Sequence, residues 1–132
     1  MYLVDTNIWL ELLLDQEKAE DVRNLLRGIN PSVLYMTHFT LYSIGIILLK
    51  LGKPEVLLSF VRDTLLDGVK LISLDPGDME VLVKVAEQFN LDFDDAYQYV
   101  AAEKYNLEIV SFDTDFDRTE RGRKTPAQVM KN

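Results

Sequence analysis

Short apolar runs alternate along this chain with longer segments in which apolar residues return every three or four positions. The short runs predict buried strands, and the longer segments predict helices with an apolar stripe. The predicted strands cover residues 1–4, 33–36, 69–74 and 108–112. The predicted helices cover residues 7–14, 16–27, 37–51, 55–66, 76–89 and 95–105. Glycine and proline residues separate most of these segments, which supports the boundaries.

Strands that are separated by helices predict an α/β fold. In such a fold a central, mostly parallel sheet is covered by helices on both faces, which gives a three-layer sandwich. The 132 residues contain no linker, repeat or low-complexity stretch. Because a chain of this length is close to the usual size of one domain, we expect a single domain over residues 1–132.

The composition excludes several kinds of protein. Hydrophobic residues make up 48% of the chain and charged residues 27%, which is typical of a globular domain. Cysteine is absent, so disulfides, zinc–thiolate sites and thiol nucleophiles are excluded. The N-terminal residues lack the basic region of a signal peptide, and no apolar run approaches the roughly 20 residues that span a bilayer. We therefore expect a cytoplasmic protein with no membrane association.

The net charge of −8 argues against a general nucleic-acid binder, because attraction to phosphate normally requires a basic face. The bases are unevenly distributed, however, and four of them fall close together near the C-terminus. These are Arg118, Arg121, Arg123 and Lys124. They fit two alternatives: the basic border of a phosphodiesterase site, or a solvated loop in which charge serves solubility.

Residues 91–117 form an acidic segment with eight carboxylates and one base, Lys104. Like charges at this density repel each other unless a cation lies among them. Apolar residues such as Phe93, Val100 and Ile109 are interleaved with the acids, so the segment is predicted to be folded. Carboxylates held in fixed positions favour a site for a hard divalent metal.

The predicted topology brings three of the acids to one place. Open α/β sheets bind ligands beyond the carboxyl ends of their strands. Asp5 ends the first predicted strand, Asp113 follows the last, and Asp95 opens a predicted helix. Each of these residues, or Asp94 in place of Asp95, has a simpler alternative role as a helix cap or loop residue. Their joint placement at one rim favours the metal site.

Three motifs in this order resemble the PIN domain family. They are Asp5-Thr6-Asn7 after an apolar strand, Asp95-Ala96 at the start of a helix, and the segment 111–117. Their order and the chain length resemble VapC-type toxin ribonucleases in particular. The resemblance implies a Rossmann-like sheet, a Mg²⁺ or Mn²⁺ site and endonucleolytic cleavage of single-stranded RNA. It also implies a homodimer and an antitoxin protein that inhibits the toxin.

The resemblance assigns roles to individual residues. Asp5, Asp95 and Asp113 match acidic positions of the family and are the expected catalytic and metal-binding residues, and Asp117 matches a more variable fourth metal ligand. The residues expected to support them are Thr6, Asn7, Ser43, Ser111 and Asp115. The residues expected to contact the RNA backbone are Arg118, Arg121, Arg123 and Lys124.

One residue of the family pattern is missing. The family has a glutamate in the helix after the second strand, at a position that aligns with Ser43, and no acid occurs between Pro31 and Pro54. Asp92, Asp94 or Asp117 are alternatives for the missing charge. A second functional interpretation therefore stays open, in which the chain is a catalytically weakened PIN-like module that acts by binding RNA or protein.

Several apolar residues allow two interpretations. The helix over residues 37–51 has more apolar surface than one stripe requires, so it is either fully buried or part of a dimer or antitoxin interface. Tyr42 and Phe93 are interpreted as core residues, with stacking on unpaired bases as the alternative. Trp9 is predicted to pack in the core. His38, the only histidine, is predicted to lie at a helix terminus, with general acid catalysis as the alternative.

Overall fold

The computed structural model describes residues 1–131. Its four strands are β1 (Tyr2–Val4), β2 (Leu34–Thr37), β3 (Lys70–Ile72) and β4 (Glu108–Val110). The α-helices within that range are α1 (Thr6–Leu13), α2 (Ala19–Gly28), α3 (His38–Lys50), α4 (Pro54–Phe60), α5 (Met79–Phe89), α6 (Phe93–Tyr105) and α7 (Pro126–Met130). Short 3-10 turns occur at Pro31–Val33, Pro76–Asp78 and Thr114–Arg118, and a π-helical turn at Val61–Leu65 extends α4.

All four strands are parallel, in the order β3-β2-β1-β4. Leu3 in β1 is in register with Tyr35 in β2 and with Ile109 in β4. An isolated parallel bridge adds Lys124 beside Val110. The predicted α/β class and the mostly parallel sheet are confirmed.

Helices pack on both faces of the sheet and create two cores. Successive side chains of a strand point to opposite faces, and in β1 Leu3 and Val4 enter different cores. Leu3 lies with residues of α5 and α6, such as Tyr99. Val4 lies with Trp9 of α1 and residues of α2, α3 and α7. The three-layer arrangement is confirmed, and so is the core position of Trp9.

The start of α6 differs from the prediction. This helix begins at Phe93 rather than at Asp95, because the carboxylate of Asp92 caps it and accepts a hydrogen bond from the Asp95 amide at 3.2 Å. The alternative in which Asp94 or Asp95 caps the helix is therefore wrong. Asp95 lies in the first turn, where the positive end of the helix dipole favours an anion.

The C-terminal segment contains structure that the hydrophobic pattern did not predict. The 3-10 turn at Thr114–Arg118 follows β4, and α7 packs on α2. A capping box formed by Thr125 and Gln128 starts α7, with Pro126 in the first turn. The residues that end the predicted fourth strand, Ser111 and Phe112, lie beyond β4.

The helix α3 is only partly buried. Thr40, Ile44 and Leu48 face the core, whereas Tyr42, Ile46 and Leu49 are 61%, 57% and 59% exposed. The fully buried alternative is therefore wrong. With 13 residues, α3 is also too short to span a bilayer, and no other helix within residues 1–131 has the length and apolar character to do so.

Candidate active site

A cavity of about 410 Å³ opens beyond the carboxyl end of β1. Its lining combines carboxylates with other polar groups and with apolar residues of α1 and α3. The polar residues in the lining are Asp5, Thr6, Asn7, Ser43, Asp94, Asp95, Gln98 and Asp113. Asp5, Asp95 and Asp113, which lie far apart in the sequence and were predicted to meet at one rim, thus surround one cavity.

Asp5 lies at the end of β1 and is only 6% exposed. Its Oδ1 accepts hydrogen bonds from the Thr6 amide at 2.8 Å and from Gln98 Nε2 at 3.0 Å. Its Oδ2 accepts from Ser111 Oγ at 2.7 Å and from Asn7 Nδ2 at 3.3 Å. Burial raises the pKa of Asp5, and the hydrogen bonds from Ser111, Gln98 and Thr6 oppose that rise. Asp5 also caps α1, so it is both a helix cap and a residue of the cavity lining.

Ser111 and Asn7 join the segment after β4 to the segment after β1. The Ser111 hydroxyl accepts hydrogen bonds from Asn7 Nδ2 at 3.1 Å and from the Asp113 amide at 2.9 Å. The Asn7 side-chain oxygen accepts from the Phe112 amide at 3.1 Å. Asp113 in turn caps the 3-10 turn and accepts from the Asp115 amide at 2.9 Å. These contacts fix the segment after β4, which carries Asp113 and Asp115, relative to the end of β1.

Gln98 is a residue of the site that the sequence interpretation missed. It is 2% exposed in the middle of α6. Besides Asp5, its Nε2 donates to Thr40 Oγ1 at 2.7 Å, and its Oε1 accepts from Thr37 Oγ1 at 3.0 Å. Thr40 also shares a hydrogen bond of 2.8 Å with Thr6. The available signal was one polar residue within the otherwise largely apolar stretch 96–102 of α6, one turn after Asp95.

Asp95 is 7% exposed, which is close to the value for Asp5, but its hydrogen bonding is different. Its carboxylate lies with those of Asp113 and Asp115, and the three offer oxygen atoms within 4.8 Å of one another. No amide, hydroxyl or basic group of residues 1–131 donates a hydrogen bond to it. Burial raises the pKa of Asp95 to about 8, with further contributions from the hydrogen bond to Asp113 and from the charges of Asp113, Asp92 and Asp5.

The remaining acids occupy different positions. Asp117, the expected fourth ligand, forms an ion pair with Arg123 at 3.1 Å and is absent from the cavity lining. Asp92 caps α6. Of the three alternatives for the missing charge, only Asp94 lines the same cavity as Ser43.

The four predicted RNA-binding bases have partners within the protein. Arg118 Nη1 lies 2.9 Å from Asp115, and Arg121 donates to the Leu107 carbonyl at 3.2 Å. Arg123 pairs with Asp117, and Lys124 Nζ lies 3.2 Å from Glu108. Arg118 and Arg121 are also exposed to solvent, so these contacts do not decide between the two alternatives. Contact between the four bases and RNA remains a prediction.

Aromatic residues border the cavity on the side of α3. Phe39 lines it, and its ring centroid lies 6.0 Å from that of Phe93 and 5.4 Å from that of Tyr97. Phe93 is 50% exposed, so the interpretation of Phe93 and Tyr42 as core residues is wrong. His38 begins α3, and its Nδ1 lies 3.4 Å from the Tyr42 hydroxyl, which confirms the predicted terminal position.

Comparison with known proteins identifies the family. The family model of the PIN domain matches residues 2–122, whereas none of the curated protein sequences matches the chain. A toxin–antitoxin complex from Klebsiella pneumoniae has a TM-score of 0.75 at 20% identity, over 96% of this chain and 98% of that chain.

Two further solved structures show the same fold. VapC20 of Mycobacterium tuberculosis, a sarcin–ricin loop cleaving toxin, has a TM-score of 0.76 at 17% identity, over 89% of this chain and 93% of its own. FitAcB from Neisseria gonorrhoeae has a TM-score of 0.74 at 20% identity, over 96% of this chain and 99% of that chain. Of these neighbours, the Klebsiella structure is a toxin–antitoxin complex and VapC20 is a toxin. Because the family model covers most of the sequence, this chain belongs to the PIN domain family.

Proposed function

We propose that this protein is a metal-dependent endoribonuclease that cleaves single-stranded RNA, and that it is the toxin of a toxin–antitoxin pair. The observation that carries the proposal is the buried Asp95 carboxylate, which lies with Asp113 and Asp115 but accepts no hydrogen bond from an amide, hydroxyl or basic group of residues 1–131. An anion in such a position is unfavourable without a positive partner. A divalent cation supplies that partner.

The donor set suits Mg²⁺ or Mn²⁺. Hard cations prefer carboxylate oxygens, and opposite ligands of Mg²⁺ lie roughly 4 Å apart. The oxygens of Asp95, Asp113 and Asp115 fall within 4.8 Å of one another, which is close to this span. Cysteine is absent from the sequence, and His38 is not among the residues of this cluster, so oxygen is the donor type.

The residues around the cavity have separable roles in this proposal. Asp5, Asp95 and Asp113, with Asp115 beside them, would hold the cation, which when bound supplies Lewis-acid activation of water and neutralises charge on the phosphate. Asp5 is fixed by Thr6, Asn7, Ser111 and Gln98 and contributes negative charge to the same cavity. Phe39 and Phe93 offer apolar surface beside it for an unpaired base.

The alternative, a weakened module that binds RNA or protein without cleaving it, is favoured by one observation. Ser43 lines the cavity where the family has a glutamate, and it brings no charge. Asp94 supplies a carboxylate to the lining of the same cavity, which supports activity. Metal binding without RNA cleavage would distinguish the weakened module from the nuclease.

The partner proteins and the domain organisation are part of the proposal. The solved structures with this fold include a toxin–antitoxin complex and a toxin, which supports an antitoxin partner for this chain. The exposed apolar residues of α3, Tyr42, Ile46 and Leu49, support a protein interface such as that of a homodimer. The two cores pack on opposite faces of one sheet, which supports a single domain over residues 1–132. We propose that the protein is located in the cytoplasm.

The direct experiment incubates a mixed pool of single-stranded RNA with the purified protein in Mg²⁺, in Mn²⁺ and in EDTA. We expect cleavage with either metal and none in EDTA. Asp95→Asn should abolish cleavage. Asp21→Asn, which changes an exposed carboxylate on α2, is the matched control and should keep it. Equal cleavage in EDTA, or by the Asp95→Asn variant, would refute the proposal.

A further inference from the structure

Three nitrogens of Arg118 donate hydrogen bonds within the protein. Nε donates to the Phe89 carbonyl at 3.1 Å, and Nη2 donates to the Asn90 carbonyl at 2.7 Å. Nη1 donates to Oδ1 of Asp115 at 2.9 Å. Phe89 ends α5, where the last carbonyls lack partners in the helix and the negative end of the helix dipole favours a cation. The guanidinium is therefore anchored on the end of α5 and directed at Asp115 from there.

This anchor connects the two segments that carry acids of the proposed metal site. The end of α5 leads into α6, which is capped by Asp92 and carries Asp95 in its first turn. Asp115 lies on the 3-10 turn that follows β4. One oxygen of Asp115 lies within 4.8 Å of an oxygen of Asp95 and of an oxygen of Asp113. Arg118 thus joins the turn that carries Asp115 to the segment that starts α6.

Asp115 and Asp117 differ in how arginines occupy their oxygens. Arg123 donates to both oxygens of Asp117, from Nε at 3.1 Å and from Nη2 at 3.2 Å. Arg118 donates to one oxygen of Asp115, since its Nε and Nη2 are used on the carbonyls of α5 and its C-cap. A carboxylate has about four acceptor positions, two on each oxygen. Asp115 is therefore held in place with positions left for a cation.

We infer that Arg118 is a positioning residue of the metal site, which holds Asp115 beside Asp95 and Asp113. The inference rests on the proposed nuclease function, and it gives Arg118 a role other than the RNA contact expected from the sequence. Groups that hydrogen-bond to metal-binding carboxylates orient them, and loss of such a group typically weakens metal binding or activity by about 10- to 100-fold. Arginine suits the role because its planar fork reaches several acceptors at once, whereas lysine carries one ammonium group.

The ion pair itself should contribute little to folding. The side chains of Arg118 and Asp115 are 44% and 43% exposed, and ion pairs in contact with solvent have small effects on stability. Loss of the arginine fork should therefore change the affinity for Mn²⁺ more than the melting temperature of the metal-free protein. A residue that only stabilised the turn would show the opposite order.

The first test measures Mn²⁺ affinity by isothermal titration calorimetry. Arg118→Lys keeps the charge and removes the fork, so we expect it to weaken Mn²⁺ binding by about tenfold or more. Its melting temperature in EDTA should stay close to that of the parent protein. Arg23→Lys on α2, where the arginine pairs with Asp15 and Glu20, is the matched control and should keep the parental affinity. Parental Mn²⁺ affinity in Arg118→Lys would overturn the inference.

The second test shows whether Arg118 acts through Asp115. Asp115→Asn should weaken Mn²⁺ binding, and Arg118→Lys should add little to that loss in the double variant. Two losses that multiply would mean that the residues act independently, which would overturn the inference. Parental affinity in Asp115→Asn would overturn it as well. Asp117→Asn, at the acid that Arg123 covers, is the control and should bind Mn²⁺ as the parent protein does.

The two proposals fail separately. If Arg118→Lys weakens Mn²⁺ binding through Asp115 but the parent protein cleaves no RNA, the ribonuclease proposal fails and the role of Arg118 stands. If the parent protein cleaves RNA with Mn²⁺ but Arg118→Lys binds Mn²⁺ equally well, the role of Arg118 fails and the ribonuclease proposal stands.

Discussion

The hydroxyl of Ser111 donates a hydrogen bond of 2.7 Å to Oδ2 of Asp5, across 106 positions of the sequence. The same hydroxyl accepts from the amide of Asp113. This contact therefore joins the ends of β1 and β4, the two neighbouring strands that carry the site. It also stabilises the charged form of a buried carboxylate.

Removal of this hydroxyl should destabilise the protein. Ser111→Ala leaves Asp5 with one fewer donor and the Asp113 amide without its acceptor, so we expect the free energy of unfolding to fall by about 1 to 3 kcal/mol. Urea denaturation measures the loss. Ser59→Ala, at an exposed serine of α4, is the matched control and should change little. Equal effects of the two substitutions would show that the Ser111 contact is not stabilising.

The raised pKa of Asp95 predicts how stability depends on pH in the absence of metal. The pKa of this group is about 8 in the folded protein and near 3.8 when the chain is unfolded. Between these values the folded state binds the extra proton, so stability falls as pH rises from about 4 to about 8. Urea denaturation in EDTA at pH 5 and pH 8 should show this loss.

The control for this prediction is Asp95→Asn, which cannot ionise at that position. We expect a smaller loss of stability between pH 5 and pH 8 in this variant than in the parent protein. Burial also raises the pKa of Asp5, so part of the dependence should persist. An identical pH dependence in both proteins would show that Asp95 is not the group responsible.

The location of Asp5, Asp95 and Asp113 followed from the sequence because parallel strands end at a common edge. Asp5 comes directly after β1, and Asp113 comes shortly after β4. Because these strands are neighbours, the correct topology was enough to predict that the two residues lie close together. The position of Asp95 depended only on a helix that starts within one turn of it. The predicted start was wrong by two residues, and Asp95 still lines the cavity.

Other features of the site could not be predicted, because several residues of the sequence fit the same role equally well. Asp92, Asp94 and Asp95 are all good helix caps, and periodicity does not select among them. The pairing of Arg123 with Asp117 depends on a turn with no hydrophobic pattern. Gln98 was missed because the sequence does not predict a partner for one polar residue among the apolar residues 96–102. Its partners lie at the end of β1 and at the start of α3.

A glutamate at position 43 should strengthen metal binding. Ser43 lines the cavity, so Ser43→Glu would add a carboxylate where the family has one. We expect a larger increase in melting temperature on addition of Mn²⁺ than in the parent protein, because tighter binding to the folded state adds stability. Ser43→Gln, with the same size and no charge, is the control. If both substitutions give the same shift, the position does not correspond to that of the missing glutamate.

The exposed face of α3 should form a protein interface. Leu49 is 59% exposed, and a charge there would oppose burial against a second copy of the chain. We expect Leu49→Glu to lower the mass measured by light scattering from that of a dimer to that of a monomer. Val83→Glu, at a residue of α5 that is 52% exposed, is the matched control. A parent protein that is monomeric at every concentration would contradict this prediction.

The most direct measurement of the central claim is the rate of cleavage of end-labelled single-stranded RNA over a titration of Mn²⁺, with the parent protein and Asp95→Asn. The account predicts that cleavage by the parent protein rises with Mn²⁺ and reaches half its maximum at the concentration where calorimetry shows half-saturation. It predicts no cleavage by Asp95→Asn over the same range. Cleavage that does not depend on Mn²⁺, or that survives Asp95→Asn, would contradict it.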